Sequence, residues 1–307
     1  MVVLNSLFEK ENSQGKVIAL GNFDGFHIGH MELVKKCAEI SKDENYKSMV
    51  MTFKNNPLNF IRKNMACKSL MSNDDKIELL GDKIDYLLLL NFDEKISDLK
   101  PVEFLELLRD NFNIMAIVTG FNFRFGSRNL GNNHIIYKFC KDNNMRHEVI
   151  LPVIYEENVV SSTYIRELLS HYGRIKYVNL LLGRKFSITG KVIEGNKLGR
   201  TLGFPTANLQ FDHQMATPLN GVYFTEVKVF SRTFKSITSV GYNITVSNDK
   251  SIKIETHIFD FNEDIYEKII KISFLERIRG ELKFNNINEL KNQIQIDINY
   301  IHKTFYN

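Results

Sequence analysis

The chain has 307 residues, 43% of them hydrophobic and 25% charged, and a formal net charge of +4. That length accommodates two domains, and that balance excludes a disordered or low-complexity chain. The positive charge is spread along the sequence, so nothing demands a nucleic-acid or membrane partner. Cys37, Cys67 and Cys140 have neither metal-ligand nor disulfide spacing, which suggests reduced thiols in a cytosol. The N-terminus, MVVLNSLFEKENSQGK, reaches charges too early for a signal peptide, and no apolar run approaches the ~20 residues of a membrane helix. The expected compartment is the cytoplasm.

The chain first becomes informative at residues 17–30, V-I-A-L-G-N-F-D-G-F-H-I-G-H. A short apolar run stops in a tight turn at Gly21-Asn22-Phe23-Asp24-Gly25, and Leu33, Val34, Cys37 and Ile40 follow at helical spacing. His27 and His30 therefore stand at a helix N-terminus beyond the carboxyl end of a strand, where free N–H groups and the helix dipole favour anions. Gly29 removes the side chain between the two rings. A strand–turn–helix with incidental histidines is the plainer alternative, and a nucleotide site is the better fit to the whole pattern.

Runs at 48–53, 86–90, 114–119 and 148–153 are apolar on both faces, as buried parallel strands are. Helical patterns lie between them, at 73–80 behind a Ser72/Asp75 capping pair and at 101–112 behind Pro101. The alternation predicts an α/β doubly wound parallel sheet with its ligand crevice at the carboxyl ends of the strands. Gly120-Phe121-Asn122-Phe123-Arg124-Phe125-Gly126 falls at that edge. Its aromatic rings are able to stack on a heterocycle while Asn122 reads its edge; a loop plugging its own apolar cluster is the equal alternative. Val160-Ser161-Ser162-Thr163-Tyr164-Ile165-Arg166 opens a helix with three hydroxyls and a guanidinium, more than one N-cap requires. Together they suggest a second phosphate clamp.

After helical patterns at 163–170 and 176–182, the texture changes at Gly183-Arg184. Strand patterns at 186–194, 221–230, 234–240, 252–259 and 266–274, then helical periodicity at 288–305, predict an antiparallel β-barrel with a C-terminal helix. The stretch Gly195-Asn196-Lys197-Leu198-Gly199-Arg200-Thr201-Leu202-Gly203-Phe204-Pro205-Thr206-Ala207-Asn208 stands out within it. A glycine loop with Arg200 suits phosphates, and Thr206 and Asn208 offer hard oxygens suited to Mg²⁺. An ordinary glycine-rich hairpin would not need the P-T-A-N run, and the absence of Gly-Lys-Ser/Thr at a helix start excludes a Walker A loop.

These motifs carry a resemblance over about residues 15–303. G-N-F-D-G-F-H-I-G-H resembles the signature of the HxGH nucleotidyltransferases, specifically the flavin adenylyltransferase module of bacterial bifunctional riboflavin kinase/FAD synthetases. The 120–126 loop is similar to that family's G-x-[DN]-F-x-F-G, and 161–166 to its S-S-T-x-I-R. G-x-x-x-G-R-x-L-G-F-P-T-A-N resembles the riboflavin kinase signature. The resemblance implies an adenylyltransferase domain over 1–182 and a six-stranded kinase barrel over 183–307. The first would transfer AMP from ATP to FMN, with Gly21, Asn22, Phe23, Asn122, Ser161, Ser162, Thr163 and Arg166 on the nucleotide and His27 and His30 as catalytic phosphate stabilisers. The second would phosphorylate riboflavin, with Glu255 of E-T-H as the base, Gly195 and Arg200 on the nucleotide, and Thr206 and Asn208 on the nucleotide and metal. Tyr266, Arg279 and Phe284 would be on the flavin. Riboflavin, FMN, FAD, ATP and Mg²⁺ are the implied ligands. The sequence departs from the pattern at Asn56, Asn129, Asn132, Tyr164 and Ile244. The alternatives are a riboflavin kinase with an impaired first domain, or a flavin-binding regulatory protein.

Overall fold

In a computed structural model of the chain, residues 1–61, 67–195, 198–243 and 251–305 are described. They form two compact units, Met1–Ser162 and Thr163–Asn307.

The first unit is built on a six-stranded sheet, parallel throughout. Its strands are β1 (Val2–Leu4), β2 (Lys16–Leu20), β3 (Lys47–Phe53), β4 (Tyr86–Leu90), β5 (Ile114–Gly120) and β6 (Arg146–Ile150), in the order β1-β4-β3-β2-β5-β6. Helices α1 (Ile28–Asp43), α2 (Pro57–Ile61), α3 (Asn73–Leu80), α4 (Glu94–Ser97), α5 (Pro101–Phe112) and α6 (Asn133–Asp142) lie between them, and a short hairpin, β7 (Ile154–Tyr155) and β8 (Asn158–Val159), follows β6. Successive residues of each strand feed two separate cores, because side chains alternate between faces. Ile18, Leu20, Met49, Met51, Leu88 and Leu90 pack with Phe104, Leu105 and Leu108 of α5. Val17, Ala19, Val50, Leu87 and Leu89 pack with Leu33, Val34 and Cys37 of α1. From β2 the chain winds outward through β3 and β4, then returns to place β5 on the other side of β2. This reversal is the switch point at which a doubly wound sheet opens a crevice, and the Gly21–Gly25 turn lies at its rim.

From Thr163 the second unit takes in the rest of α7 (Ser162–Ser170), then α8 (Ile175–Leu182), and continues as a closed antiparallel barrel. Its strands are β9 (Phe186–Ile193), β10 (Ala207–Gln210), β11 (Gly221–Val229), β12 (Arg232–Asn243), β13 (Ser251–Ile258) and β14 (Ile269–Arg279), with a short helix α9 (Leu198–Leu202) before β10. Around the barrel the order is β10-β13-β12-β11-β14-β9. The barrel strand that the sequence pattern missed is β10, because it starts inside the P-T-A-N run and its four residues are too few to show alternation. The helices are fastened to the barrel by side chains. Asn179 of α8 accepts from Phe186 N at 2.7 Å and donates to Phe274 O at 2.8 Å, and Ser170 of α7 donates to Thr217 O at 2.8 Å. The second compact unit thus begins at Thr163, ahead of the change in sequence texture at Gly183.

The C-terminal helix α10 (Ile287–Phe305) buries Ile298 and Ile301 against Phe224, Ile237 and Phe259. One ion pair secures it. Arg279 Nε and Nη2 lie 2.9 and 2.8 Å from Asp297 Oδ2, and Gln293 donates to Asp297 Oδ1 at 2.9 Å. Only 4% of the Asp297 side chain is exposed. Removing one partner of so enclosed a pair strands the other charge. Asp297→Ala is expected to lower the stability of the second unit by about 3 kcal/mol in chemical denaturation.

Candidate active sites

The first site is shaped by a turn that is unusual in its backbone. Phe23, Gly25 and Phe26 have φ of 47°, 79° and 38°. Two bulky residues hold left-handed conformations here because their rings, fully buried, stack at 5.0 Å between centroids. A Cβ on Gly21 would meet the Phe23 ring at 2.9 Å, so glycine is required where the ring folds back. Three bonds then hold the turn. Thr52 Oγ1 donates to Asn22 O at 2.7 Å, Ser162 Oγ donates to Asp24 O at 2.8 Å, and Leu70 N donates to Asp24 Oδ1 at 2.8 Å.

His27 is the N-cap of α1, its Nδ1 accepting from His30 N at 3.3 Å. That bond places the ring proton of neutral His27 on Nε2. The two imidazoles stack at 3.6 Å and 17°. A Cβ on Gly29 would sit 3.3 Å from the buried His27 ring, so glycine avoids crowding that ring. The structure therefore assembles Gly21, Asn22, His27 and His30 at one strand end. The Phe23 ring is in the core, which leaves only its main chain for a ligand. The hydroxyl of Ser162 is used on the turn itself. Ser161 closes the first unit; Thr163 and Arg166 open the second, where Arg166 Nη2 lies 3.5 Å from Thr163 Oγ1.

The 120–126 loop divides its three phenylalanines. Phe125 is buried and stacks on Phe123 at 5.5 Å, within the core, whereas Phe121 and Asn122 are exposed. Asn133, which sequence reasoning passed over, anchors the loop by donating to Gly120 O and Phe121 O, both at 3.0 Å, and accepting from Thr119 at 2.9 Å.

The second site lies where β10 pairs with β13. Asn208 stands opposite Glu255, and Ser239 of β12 stands opposite Glu255 on the other side. Ile254 and Thr256 point inward, so Glu255 and His257 share the outer, half-buried face. Glu255 Oε1 is 2.7 Å from Lys253 Nζ. Asn208 is 7% exposed, and its Oδ1 has no hydrogen-bond partner among the described residues. A buried amide oxygen without a donor is costly in a folded protein, and a hard cation is the partner that fits it. Thr206, two residues earlier, lines a cleft of about 440 Å³ together with Val192, Ala207, Ile258, Asp264 and Tyr266. Gly195 and Gly199 pack directly on these residues. A Cβ on Gly195 would fall 2.1 Å from Asn208 Nδ2, and one on Gly199 would fall 2.4 Å from Phe204 O and 3.1 Å from Thr206 Oγ1. The side chain of Arg200, with residues 196, 197 and Ile244, lies outside what the structure describes.

Tyr266 lies three residues before β14 begins and Arg279 ends the strand, so roughly 30 Å of extended backbone at ~3.3 Å per residue runs between them. Tyr266 belongs to the Thr206 cleft. Arg279 is committed to Asp297, and Phe284 is half-buried beyond it. Glu281, given no role in the sequence, approaches Gly241 so closely that a Cβ there would lie 2.4 Å from its Oε1.

The family models for FAD synthetase and riboflavin kinase match residues 9–164 and 182–305. Relatives described as bifunctional riboflavin kinase/FMN adenylyltransferase include one from Buchnera aphidicola subsp. Schizaphis graminum, 35% identical over 96% of both chains. Another, from Bacillus subtilis, is 33% identical over 94% of this chain and 92% of its own. This chain belongs to that family. The riboflavin kinase/FAD synthetase family is one of enzymes, and membership implies ATP- and Mg²⁺-dependent chemistry. A crystal structure described as a macrolide-efflux protein from Streptococcus pneumoniae has a TM-score of 0.90 at 28% identity, covering 99% of this chain and 100% of its own. Efflux is that protein's description; among the described residues here no helix is long and apolar enough to cross a membrane.

Two departures from the family pattern have a structural account. Asn56 Oδ1 caps α2 by accepting from Leu58 N at 3.0 Å, and Asn132 Oδ1 caps α6 by accepting from His134 N and Ile135 N at 3.0 and 3.1 Å. At the barrel site, Gly195→Ala forces Asn208 to move. Riboflavin phosphorylation is expected to fall roughly 100-fold, the cost of about 1 Å of misplacement, with FMN adenylylation by the same preparation unchanged.

Proposed function

We propose that the chain makes FAD from riboflavin in two transfers, the barrel (183–307) acting as riboflavin kinase and the N-terminal module (1–182) as FMN adenylyltransferase. The observation that carries the kinase reading is the Asn208–Glu255 pairing, with a partnerless amide oxygen beside a half-buried carboxylate. Glu255 takes the proton from the ribityl 5′-hydroxyl as that oxygen bonds to the γ-phosphorus of ATP. The bond from the γ-phosphorus to the β–γ bridging oxygen breaks, and ADP leaves. Thr206 and Asn208 would hold Mg²⁺, which supplies charge neutralisation at the phosphates. Gly195 and Arg200 would contact the nucleotide. Tyr266 shares the cleft wall with Thr206, and Tyr266, Arg279 and Phe284 would be on the flavin, with Arg279 held by its pair with Asp297.

In the second transfer a phosphate oxygen of FMN bonds to the α-phosphorus of ATP and pyrophosphate leaves. His27 and His30, at the N-terminus of α1, stabilise the charge that develops on the phosphates, and no covalent enzyme intermediate is required. Gly21, Asn22 and the main chain of Phe23 line the nucleotide, Asn122 reads its base edge, and Ser161, Thr163 and Arg166 act on the phosphates. Ser162 shapes the turn. The three cysteines are free, in keeping with a cytoplasmic protein. Nucleic acid and membrane have no part in the reading.

Flavin chromatography over time, with riboflavin, ATP and Mg²⁺, is expected to show FMN rising and then giving way to FAD. FMN that accumulates without FAD, even when FMN is supplied, refutes the adenylyltransferase reading. Glu255→Gln is expected to lower phosphorylation by about 10²- to 10⁴-fold and to leave adenylylation of supplied FMN intact. His27→Ala with His30→Ala is expected to reverse that pattern, with FAD formation lost by about 10²-fold or more.

A further inference from the structure

One side chain outside the proposed machinery touches the turn that presents Thr206. His257 Nδ1 lies 2.8 Å from Pro205 O. A carbonyl only accepts, so Nδ1 carries the proton and donates. Proline has no N–H, and the β10–β13 ladder begins at Ala207 opposite Thr256, so Pro205 and Thr206 lie beyond its support. His257 extends the pairing by one side-chain bond. Its ring is held edge-on to Phe204 and to Phe259, each at 5.7 Å, which fixes the direction of the donor. Phe204 N in turn donates to Gly199 O at 2.8 Å, linking the same turn to the glycine loop.

We propose that His257 is a positioning residue of the kinase site, whose bond to Pro205 sets Thr206 at its working distance from Asn208 and Glu255. The inference rests on the kinase reading. His257 and Glu255 are two residues apart on one face of β13, so a single strand carries the base and the brace for the opposite wall. Burial holds the imidazole pKa below its usual value, which keeps the ring neutral at pH 7. The donor Nδ1–H is then the tautomer selected by the carbonyl.

The test compares His257→Leu, which keeps apolar volume, with His257→Asn, whose amide nitrogen sits where Nδ1 does. Turnover of riboflavin, riboflavin KM, and ADP affinity by calorimetry with Mg²⁺ and with EDTA are measured on each. FMN adenylylation by the same samples reports an intact chain. His257→Leu is expected to lower kinase turnover about three- to tenfold, the worth of one neutral hydrogen bond. The increment that Mg²⁺ adds to ADP affinity is expected to shrink by a similar factor, with metal-free ADP affinity and riboflavin KM unchanged. His257→Asn is expected to recover most of both losses. A His257→Leu enzyme with the full Mg²⁺ increment and wild-type turnover overturns the proposal. So does a loss that is equal with and without Mg²⁺ and is not recovered by Asn, since that is the behaviour of packing alone. Thr206→Val separates the underlying reading: if it too leaves the Mg²⁺ increment whole, the metal assignment itself is refuted.

Discussion

The kinase barrel depends on being closed by a strand only four residues long. Strand β10 pairs with β9 on one side and β13 on the other, so Asn208 has Ile193 and Glu255 as its two cross-strand neighbours. An unclosed barrel would leave two edges with unpaired backbone groups. Closure therefore fixes where Asn208 stands relative to Glu255, independent of any ligand. It also brings the glycine loop hard against β10, with no room for a Cβ at Gly195 or Gly199. The loop that suits phosphates and the strand that completes the fold obey the same steric limit.

The first unit meets a related demand in another way. Its turn holds two phenylalanines at positive φ, a strain of about 1–3 kcal/mol each. Full burial of two stacked rings contributes about 1.5–3 kcal/mol each and offsets it. With Thr52, Ser162 and Leu70 also holding it, the turn has its shape before a nucleotide arrives. Preorganised groups of this kind stabilise developing charge without moving at the moment of reaction.

The alternating texture of the first half and the strand-rich second half made both architectures legible in the sequence, because burial on two faces or one leaves a direct imprint on residue order. Short elements left no such imprint. Strand β1 has three residues and β10 four, and the edge strand β6, half exposed, runs from Arg146 rather than from the more apolar residues after it. At the sites, spacing singled out His27, His30, Thr206 and Asn208 in the sequence, whereas Glu255 was singled out only by the family resemblance. It did not separate the roles of neighbours. Ser162 looks like a phosphate ligand by position, yet its hydroxyl holds Asp24 O; Phe23 lies in the motif, yet its ring lies in the core. Glu281, Asn133 and Asp297 act across long sequence separations, where no periodicity reports a contact.

The chemistry of the two transfers explains why the sites are furnished differently. The ribityl hydroxyl is neutral and must lose a proton as it attacks, a task that suits a carboxylate such as the half-buried Glu255 opposite Asn208. The phosphate of FMN is a monoester with a second pKa near 6, so its oxygen is already ionised at neutral pH and needs no base. The first site accordingly offers imidazoles and a helix N-terminus. The carboxylate within its turn, Asp24, accepts from Leu70 N. The kinase step thus creates the anionic nucleophile that the adenylyltransferase step consumes.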